Sequence, residues 1–586
     1  MIAGKHARLW SFLSILAASV ALGFPLLIRG IPLGHDTLDH LQRYSCVAAQ
    51  FWQGEVYPRW LARMNSGLGS PSLFVYAPLP YFAPALLRPL LRLPVNASRE
   101  SLELGISIWL AIALSGVAAY LWLRTMASRW AATAAAILYM AMPYHVVIDA
   151  YTRAAVAEMW PFVWMPLSLY FLSQILEGGF ALAGAGLAVS YALLILSHLM
   201  IVLIFTPVLL AAVFFVPSQH GGWQALKAAS PWLLLGMGLS SAYWLPALVQ
   251  ATNVSQKRLD ALDPRYRYDG HFAFAWRAWA GHSGNDLFLW KTSWVGASTL
   301  AAAICGFLLT GKASALRTRR IFWLVATLAS FAMMLPFSNF LWKIIPVLPM
   351  IQFPWRFNSV LAVAAAPLLA IAADIMLEPW PKSLRSHKRA QRHVQAVRLG
   401  RIMSSALIAA IMFLWAATDF KSMISTPSFA PDMSLKFGDT LLLAWAKWSD
   451  FPYLTPRGFA ELSQRAAVGG RWRGSVSVRA WKPRDIEFTS DIQGGEWLTV
   501  RRLYYPGWIA RTGEGRDLHV EPAPGTGLIA VEAPPGKHIV HLTMPWNWAE
   551  KTGMAISWAS LLMSAMMVWA ARLSGKAAEH RSLTAT

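Results

Sequence analysis

Apolar residues recur along this chain in runs of about 20, the length an α-helix needs to cross a hydrocarbon core. About twelve such segments are read at 9–29, 105–124, 130–147, 159–176, 180–197, 199–216, 231–250, 294–311, 320–337, 356–377, 403–420 and 552–571. The stretch PSLFVYAPLPYFAPALLRPLL (71–91) is apolar but rich in Pro, and predicts short helices in or near a membrane interface. Between about 470 and 545 the pattern changes to short alternating runs such as SVSVRAW, DIEFTSDI, GLIAVEAP and KHIVHLTMP, separated by Gly and Pro. Period-two alternation with turn signals at that spacing predicts an antiparallel β-sandwich.

Composition agrees with the pattern. Of 586 residues 56% are hydrophobic and 14% charged, against roughly 25% charged in soluble proteins. A soluble enzyme is excluded, and 30 Trp with 28 Phe exclude a chain unable to collapse. The formal charge of +22 would suggest nucleic acid in a soluble chain; here it follows membrane topology. With the N-terminus inside, the inner segments receive Lys5 and Arg8, then Arg124 and Arg129, Lys227, Arg317 to Arg320, the run from Lys382 to Arg401, and Arg572 to Arg581. That is the positive-inside pattern, with both termini cytoplasmic. No small-residue cleavage site follows Lys5 and Arg8, so 9–29 is expected to stay as the first span. Cys46 and Cys305 form no CxxC motif and no disulfide framework.

The expected architecture is a polytopic α-helical membrane protein with a C-terminal extracytoplasmic β-sandwich. Residues 1–420 form the transmembrane module, with outer loops 30–104 and 251–293. Residues 421–550 form the extracytoplasmic domain, and 551–586 the last span and a cytoplasmic tail.

Within the spans ionisable groups are scarce, and Asp374, Glu378 and Asp419 fall near helix ends where water or headgroups are in reach. That scarcity argues against an ion-driven carrier. Acidic groups gather instead at outer helix ends. GHDTLDHLQRY (34–44) brings Asp36, Asp39 and His40 within about one turn, where Asp36 reads equally as the N-cap of a helix from Thr37. PYHVVIDAYTRAAVAEMWPF (143–162) carries His145, Asp149, Arg153 and Glu158, and an Arg153–Glu158 ion pair that only orients the loop is the plain alternative. IQFPWRFNS (351–359) places Trp355 and Arg356 at the outer start of a span. Arg suits a phosphate, while Trp also serves as an interfacial anchor. Lys257 and Arg258 give a further outward cationic set. The hard oxygen donors Asp36, Asp39 and Glu158 would suit Mg²⁺ or Mn²⁺, and no His/Cys spacing suggests zinc. In the β-rich segment Trp472, Trp481, Tyr504, Tyr505 and Trp508 read either as core or as a glycan-binding platform. No GxSxG or GxxxxGK[ST] motif occurs.

One N-terminal span followed by an outer loop with an early Asp, a second acid at the outer end of spans three and four, and a C-terminal β-rich domain resemble the C-type (GT-C) membrane glycosyltransferases. GHDTLDH, YPRW (57–60), NSGLGSPSLFVYAPLPY (65–81), RAAVAE (153–158), SAYWLPAL (241–248), QFPWRF (352–357) and YYPGW (504–508) resemble more closely a bacterial membrane family labelled 6-pyruvoyl-tetrahydropterin synthase-related. Nothing in the chain matches the zinc site of the soluble pterin enzyme, so no pterin is expected. The resemblance implies a bacterial inner-membrane enzyme with periplasmic loops. It would move a sugar from a polyprenyl-phosphate donor to an envelope glycan or glycolipid acceptor, among membrane lipids and without nucleic acid. Asp36 is then the expected catalytic base, with Asp39 and Glu158 assisting and His40, Arg153, Lys257, Arg258, Trp355 and Arg356 binding substrate. Asp36 is followed by Thr37 where relatives often have adjacent acids, and Gln250 stands after WLPAL where relatives carry Glu. The alternative is a non-catalytic subunit for export or assembly of envelope glycans.

Overall fold

The computed structural model describes every residue except 1, 92–96, 180, 219–220, 254–266, 276–283, 311–315, 378–387, 428–465, 471–473 and 585–586. All twelve predicted apolar segments fold as helix. They are α1 (Ile2–Arg29), α5 (Ala97–Leu123), α6 (Arg129–Met140) with a π-helical extension Tyr144–Arg153, the short α7 (Val156–Met159) leading into α8 (Pro161–Leu176), α9 (Ala181–Ser197) and α10 (Leu199–Phe215). Then follow α11 (Gly222–Leu239) with α12 (Ser241–Gln250), α13 (Gly284–Leu309), α14 (Arg317–Ala332) with α15 (Asn339–Ile344), α16 (Phe357–Leu377), α17 (Lys388–Ser425) and α18 (Trp548–Thr584).

Eight helices among the described residues are long and apolar enough to cross a membrane, or ten if each of two bent pairs counts as one span. The expected 231–250 segment breaks after Leu239 and bends by 68°, and the 320–337 segment breaks after Ala332 and bends by 85°. In the second case Pro336 opens the next turn, which a proline can begin but not continue from behind. The two remaining segments, α9 and α10, have 17 residues each, a few short of the roughly 20 that span a bilayer core. The expected twelve full spans therefore become eight to ten plus two shorter apolar helices.

Close helix contacts rest on small residues. A Cβ at Gly105 of α5 would stand 2.5 Å from the Leu26 carbonyl oxygen and 2.8 Å from Gly30 Cα, so α1 and α5 touch backbone to backbone there. Between them the first loop folds into α2 (Thr37–Trp52), α3 (Ser72–Val75) and α4 (Leu79–Leu91). At 4 and 13 residues, α3 and α4 are too short to span. Glu103 of α5, fully buried, pins this loop: it pairs with Arg88 at 2.8 Å and Arg99 at 2.9 Å, and accepts the Tyr44 hydroxyl at 2.5 Å.

The C-terminal strands form two antiparallel sheets. Strands β1 (Val468–Gly469), β4 (Glu496–Leu503), β8 (Leu528–Ala533) and β7 (Val520–Pro522) lie in the order β1-β4-β8-β7. Strands β2 (Gly474–Lys482), β3 (Asp485–Ile492), β9 (Gly536–Thr543), β5 (Ile509–Thr512) and β6 (Asp517–Leu518) lie in the order β2-β3-β9-β5-β6. Alternate residues Ile486, Phe488 and Ile492 of β3 and Leu498 and Val500 of β4 enter one core, as the period-two pattern predicts.

That core also takes Trp60, Leu68 and Phe74 from the first loop. Tyr505 stacks on Phe74 with ring centroids 5.6 Å apart, and Trp508 meets Trp60 edge-on at 5.6 Å. Tyr505 and Trp508 are buried, and Trp481 and Tyr504 pack half-buried against the same cluster. The platform reading is corrected for Tyr505 and Trp508, whose rings are core because the first loop covers them; Trp472 lies outside the described residues.

Candidate functional site

The site begins with a backbone pairing between two loops distant in sequence. His35 N–H donates to the Thr152 carbonyl at 3.2 Å and Asp36 N–H to the Arg153 carbonyl at 2.8 Å. Gly34 makes this approach possible: a Cβ there would lie 2.5 Å from Arg153 C and 2.6 Å from Arg153 O. On the other side the π-helical turn ends where Ala154 takes a left-handed conformation (φ 56°) and Ala155 N–H donates to the Asp149 carbonyl at 2.8 Å. Asp36 does precede α2, yet its side chain makes no capping hydrogen bond. Thr37 takes over locally, its hydroxyl accepting from Gly34 N–H and donating to the Pro32 carbonyl, each at 2.7 Å. The Asp36 carboxylate is left free to turn toward Arg153.

Arg153 is the hub. Its Nη2 lies 3.0 Å from Asp36 Oδ2 and 3.0 Å from Glu158 Oε1, and its Nη1 lies 2.9 Å from Asp149 Oδ1. Arg356 joins from the far side, with Nε 3.0 Å from Glu158 Oε1 and Nη1 donating to the Ile351 carbonyl at 2.6 Å. His198 Nε2 stands 3.7 Å from the same Glu158 oxygen. Three carboxylates thus share two guanidiniums inside the protein, where a charge persists only when paired. Five of these six side chains are nearly closed off, whereas that of Asp36 is 36% exposed. The network opens to its surroundings through Asp36.

An aromatic wall flanks that opening. Arg153 Cζ lies 4.7 Å from the Trp355 ring centroid; Trp355 stacks on Phe353 at 4.9 Å and meets Phe288 edge-on at 5.4 Å, and Phe288 faces His35 at 5.2 Å. Trp355 is buried, so it serves as a cation–π partner and not as an exposed interfacial anchor. Gln352 at φ 66° bends the loop ahead of Arg356, a backbone strain of the kind found where a side chain must be aimed. Burial pushes the His35 pKa down, against the opposite pull of Asp36.

Residues matching the family described as "6-pyruvoyl-tetrahydropterin synthase related domain; membrane protein" run from 73 to 425, more than half of the chain. The chain belongs to this family. In this family member the matched stretch holds Asp149, Arg153, Glu158, His198, Trp355 and Arg356, and begins after Asp36. Among solved structures it is similar to the arabinofuranosyltransferase AftD from Mycobacteria, at 17% identity over 70% of this chain and 27% of that one, with a TM-score of 0.45. A variant of AftD gives 18% identity, 68% and 28% coverage and a TM-score of 0.42. The chain spans less than a third of the length of these solved chains. No curated protein matches.

Sequence reasoning named Asp36, Arg153, Glu158, Trp355 and Arg356 as candidates in three separate stretches, and the fold of the family member brings them together. His40 turns elsewhere, with Nδ1 3.0 Å from the Tyr81 hydroxyl, and burial pushes its pKa down to about 3. Asp39 lies 3.8 Å from Arg43 on its own helix. Of the oxygen donors read as a divalent-ion set, Asp36 and Glu158 meet on the same Arg153 nitrogen, and among the described residues no three His, Cys, Asp or Glu form a metal-holding group. Lys257 and Arg258 lie outside the described residues. Asp419, expected within reach of water, is 2% exposed, and neither carboxylate oxygen has a hydrogen-bond partner among the described residues. Helix α17 runs on to Ser425, so the position is more than a turn inside the helix. Asp149 was named in the second acidic group but given no site role, although its i,i+4 spacing to Arg153 signalled the pair; His198 and His35 were not singled out as site residues.

Proposed function

We propose that this chain is a GT-C-type glycosyltransferase of the bacterial inner membrane. It moves a sugar from a polyprenyl-phosphate donor to a cell-envelope glycan or glycolipid on the outer face. The reading rests first on one observation: Asp36 is the single accessible carboxylate of an otherwise closed network, with Oδ2 held by Arg153. A carboxylate fixed at one oxygen presents the other in a defined direction, as a general base requires. The resemblance of the layout to the GT-C glycosyltransferases, with an early Asp in the first outer loop and a second acid at the outer end of the third and fourth spans, supplies the substrate class.

In the proposed reaction the acceptor hydroxyl gives its proton to Asp36 as its oxygen bonds to the anomeric carbon. The bond from that carbon to the phosphate oxygen breaks, and its electron pair leaves on the phosphate. Arg356 has Nε and Nη1 engaged by Glu158 and Ile351, so it lends charge and holds Glu158 in place. Direct donor contacts are assigned to cations of the 251–293 segment, including Lys257 and Arg258. The sidedness is supported by the basic residues Arg124, Arg129, Lys227 and Arg317, which occupy the helix ends opposite the network.

The test compares envelope glycans and glycolipids by mass spectrometry in a deletion strain carrying wild type or Asp36→Asn at equal expression. Loss of a defined sugar mass in the variant is expected. Full complementation by Asp36→Asn, with deletion still giving a defect, would overturn transfer and favour a non-catalytic assembly subunit.

A further inference from the structure

At its network end α14 does not run on out of the bundle but gives way, through a bend of 85°, to Pro336–Ile344. Its other end opens with the exposed Arg317, which marks headgroup level there. The 16 residues of α14, at about 1.5 Å each, reach about 24 Å. That is about 6 Å short of a hydrocarbon core about 30 Å thick. A segment that leaves a crossing helix at nearly a right angle at this depth runs in the plane of the bilayer. Its backbone suits that place, where every N–H needs a partner from the protein. Ile345, Leu348, Met350 and Ile351 N–H groups donate to carbonyls within the segment, and Pro336, Pro346 and Pro349 have no N–H to satisfy.

The side chains divide into two faces. Trp342 is fully buried, its Nε1 donating to the Met333 carbonyl at 3.2 Å and its ring stacked on Tyr268 at 5.3 Å, which fixes the segment to the body of the protein. Phe337, Phe340 and Ile344, 65%, 56% and 69% exposed, follow one another at the spacing of a single helical face. They carry on the exposed apolar stripe Ile321, Val325 and Leu328 of α14, which meets lipid along a crossing helix. The single charge between Arg320 and Arg356 is the exposed Lys343, whose long stem lets its ammonium reach water from an apolar surface. We propose that residues 336–350 lie within the leaflet on the network side, with acyl chains against Phe337, Phe340 and Ile344 and Lys343 among the headgroups. The chain runs on directly into Gln352 and Arg356, and Arg356 pairs with Glu158 at 3.0 Å, so the segment ties the charge network to the surface of that leaflet. This placement rests on depth, backbone pairing and exposure, separately from sugar transfer.

Spin labelling of the full chain in phosphatidylcholine nanodiscs tests this. Cys46 and Cys305 are buried, so a nitroxide reagent goes to an introduced thiol. In Phe337→Cys, Phe340→Cys and Ile344→Cys, accessibility to oxygen relative to a water-soluble nickel chelate is expected to match that of Val325→Cys on α14. It should exceed several-fold that of Glu514→Cys, in the exposed turn between β5 and β6. Three separate positions, all with exposed side chains, keep the test decisive where one variant misfolds. A ratio equal to that of Glu514→Cys would overturn the proposal by showing a segment in water. Loss of both accessibilities at all three positions would overturn it too, by showing a partner protein or a second copy on this face.

Discussion

At the scale of single residues, burial separates two roles within one ion-pair network. Arg153 is 6% exposed and pairs with three carboxylates, so Arg153→Met leaves Asp149 without its ion-pair partner and Glu158 with Arg356 as its remaining guanidinium. Removing one partner of a buried pair costs about 3–5 kcal/mol, and a clear fall in the melting temperature of the detergent-solubilised protein is expected. Asp36→Asn touches the most exposed member and should melt close to wild type while losing function. Equal destabilisation of the two variants would show that Asp36 is structural. His40 supplies a pH dependence. Its folded pKa is pushed down to about 3 by burial, so between that value and about 6.5 the unfolded chain binds a proton that the native state refuses. Stability from this group is full above about pH 6.5 and falls as pH drops, by up to about 1.4 kcal/mol per unit. Melting curves of His40→Gln should therefore decline less steeply than wild type from pH 6.5 to 4.

Among elements, the informative contact is the one between the start of α2 and the end of the π-helical turn. Hydrophobic runs announced the long apolar helices, though not α2 or the basic start of α17 from Lys388, and the type of residue marked Asp36, Arg153, Glu158 and Arg356 as candidates. Their pairing was hidden, because Asp36 and Arg153 stand 117 positions apart and nothing periodic links them. The N-cap expectation for Asp36 failed for a local reason: Thr37 satisfies the turn, so the carboxylate is not needed there. Gly34 carries the consequence. Its Cβ in Gly34→Ala would meet backbone atoms of Arg153 at 2.5–2.6 Å, and backbone cannot rotate away. The variant should separate the two loops and lose function to the level of Asp36→Asn, read by the same glycan spectra. Wild-type spectra from Gly34→Ala would show that the close approach is dispensable.

For the whole molecule, the alternation in 470–545 made the sandwich legible but not what completes it. Strands show only which faces are apolar, and the β-sandwich covers part of its apolar interior with Trp60, Leu68 and Phe74 from a loop about 400 residues earlier in the chain. The junction is locked at Glu550, fully buried at the start of α18. It lies 3.1 Å from Arg59 of the first loop and 2.9 Å from Arg484 of the β-domain, and accepts Asn547 N–H at 2.9 Å. First loop, β-domain and last helix are thus joined by one core and one buried carboxylate, and the Asp36 loop connects to them through α2. A segment covering 466–547 alone would expose the apolar faces that Trp60 and Phe74 cover, and should not show a cooperative melt by circular dichroism. Trp60→Ala in the full chain tests the same contact, with an expected cost of about 3–5 kcal/mol for truncating a fully buried Trp. If the isolated segment melts cooperatively and Trp60→Ala melts like wild type, the β-domain is autonomous. Motion of that domain could then be uncoupled from the Asp36 loop, which the shared core forbids.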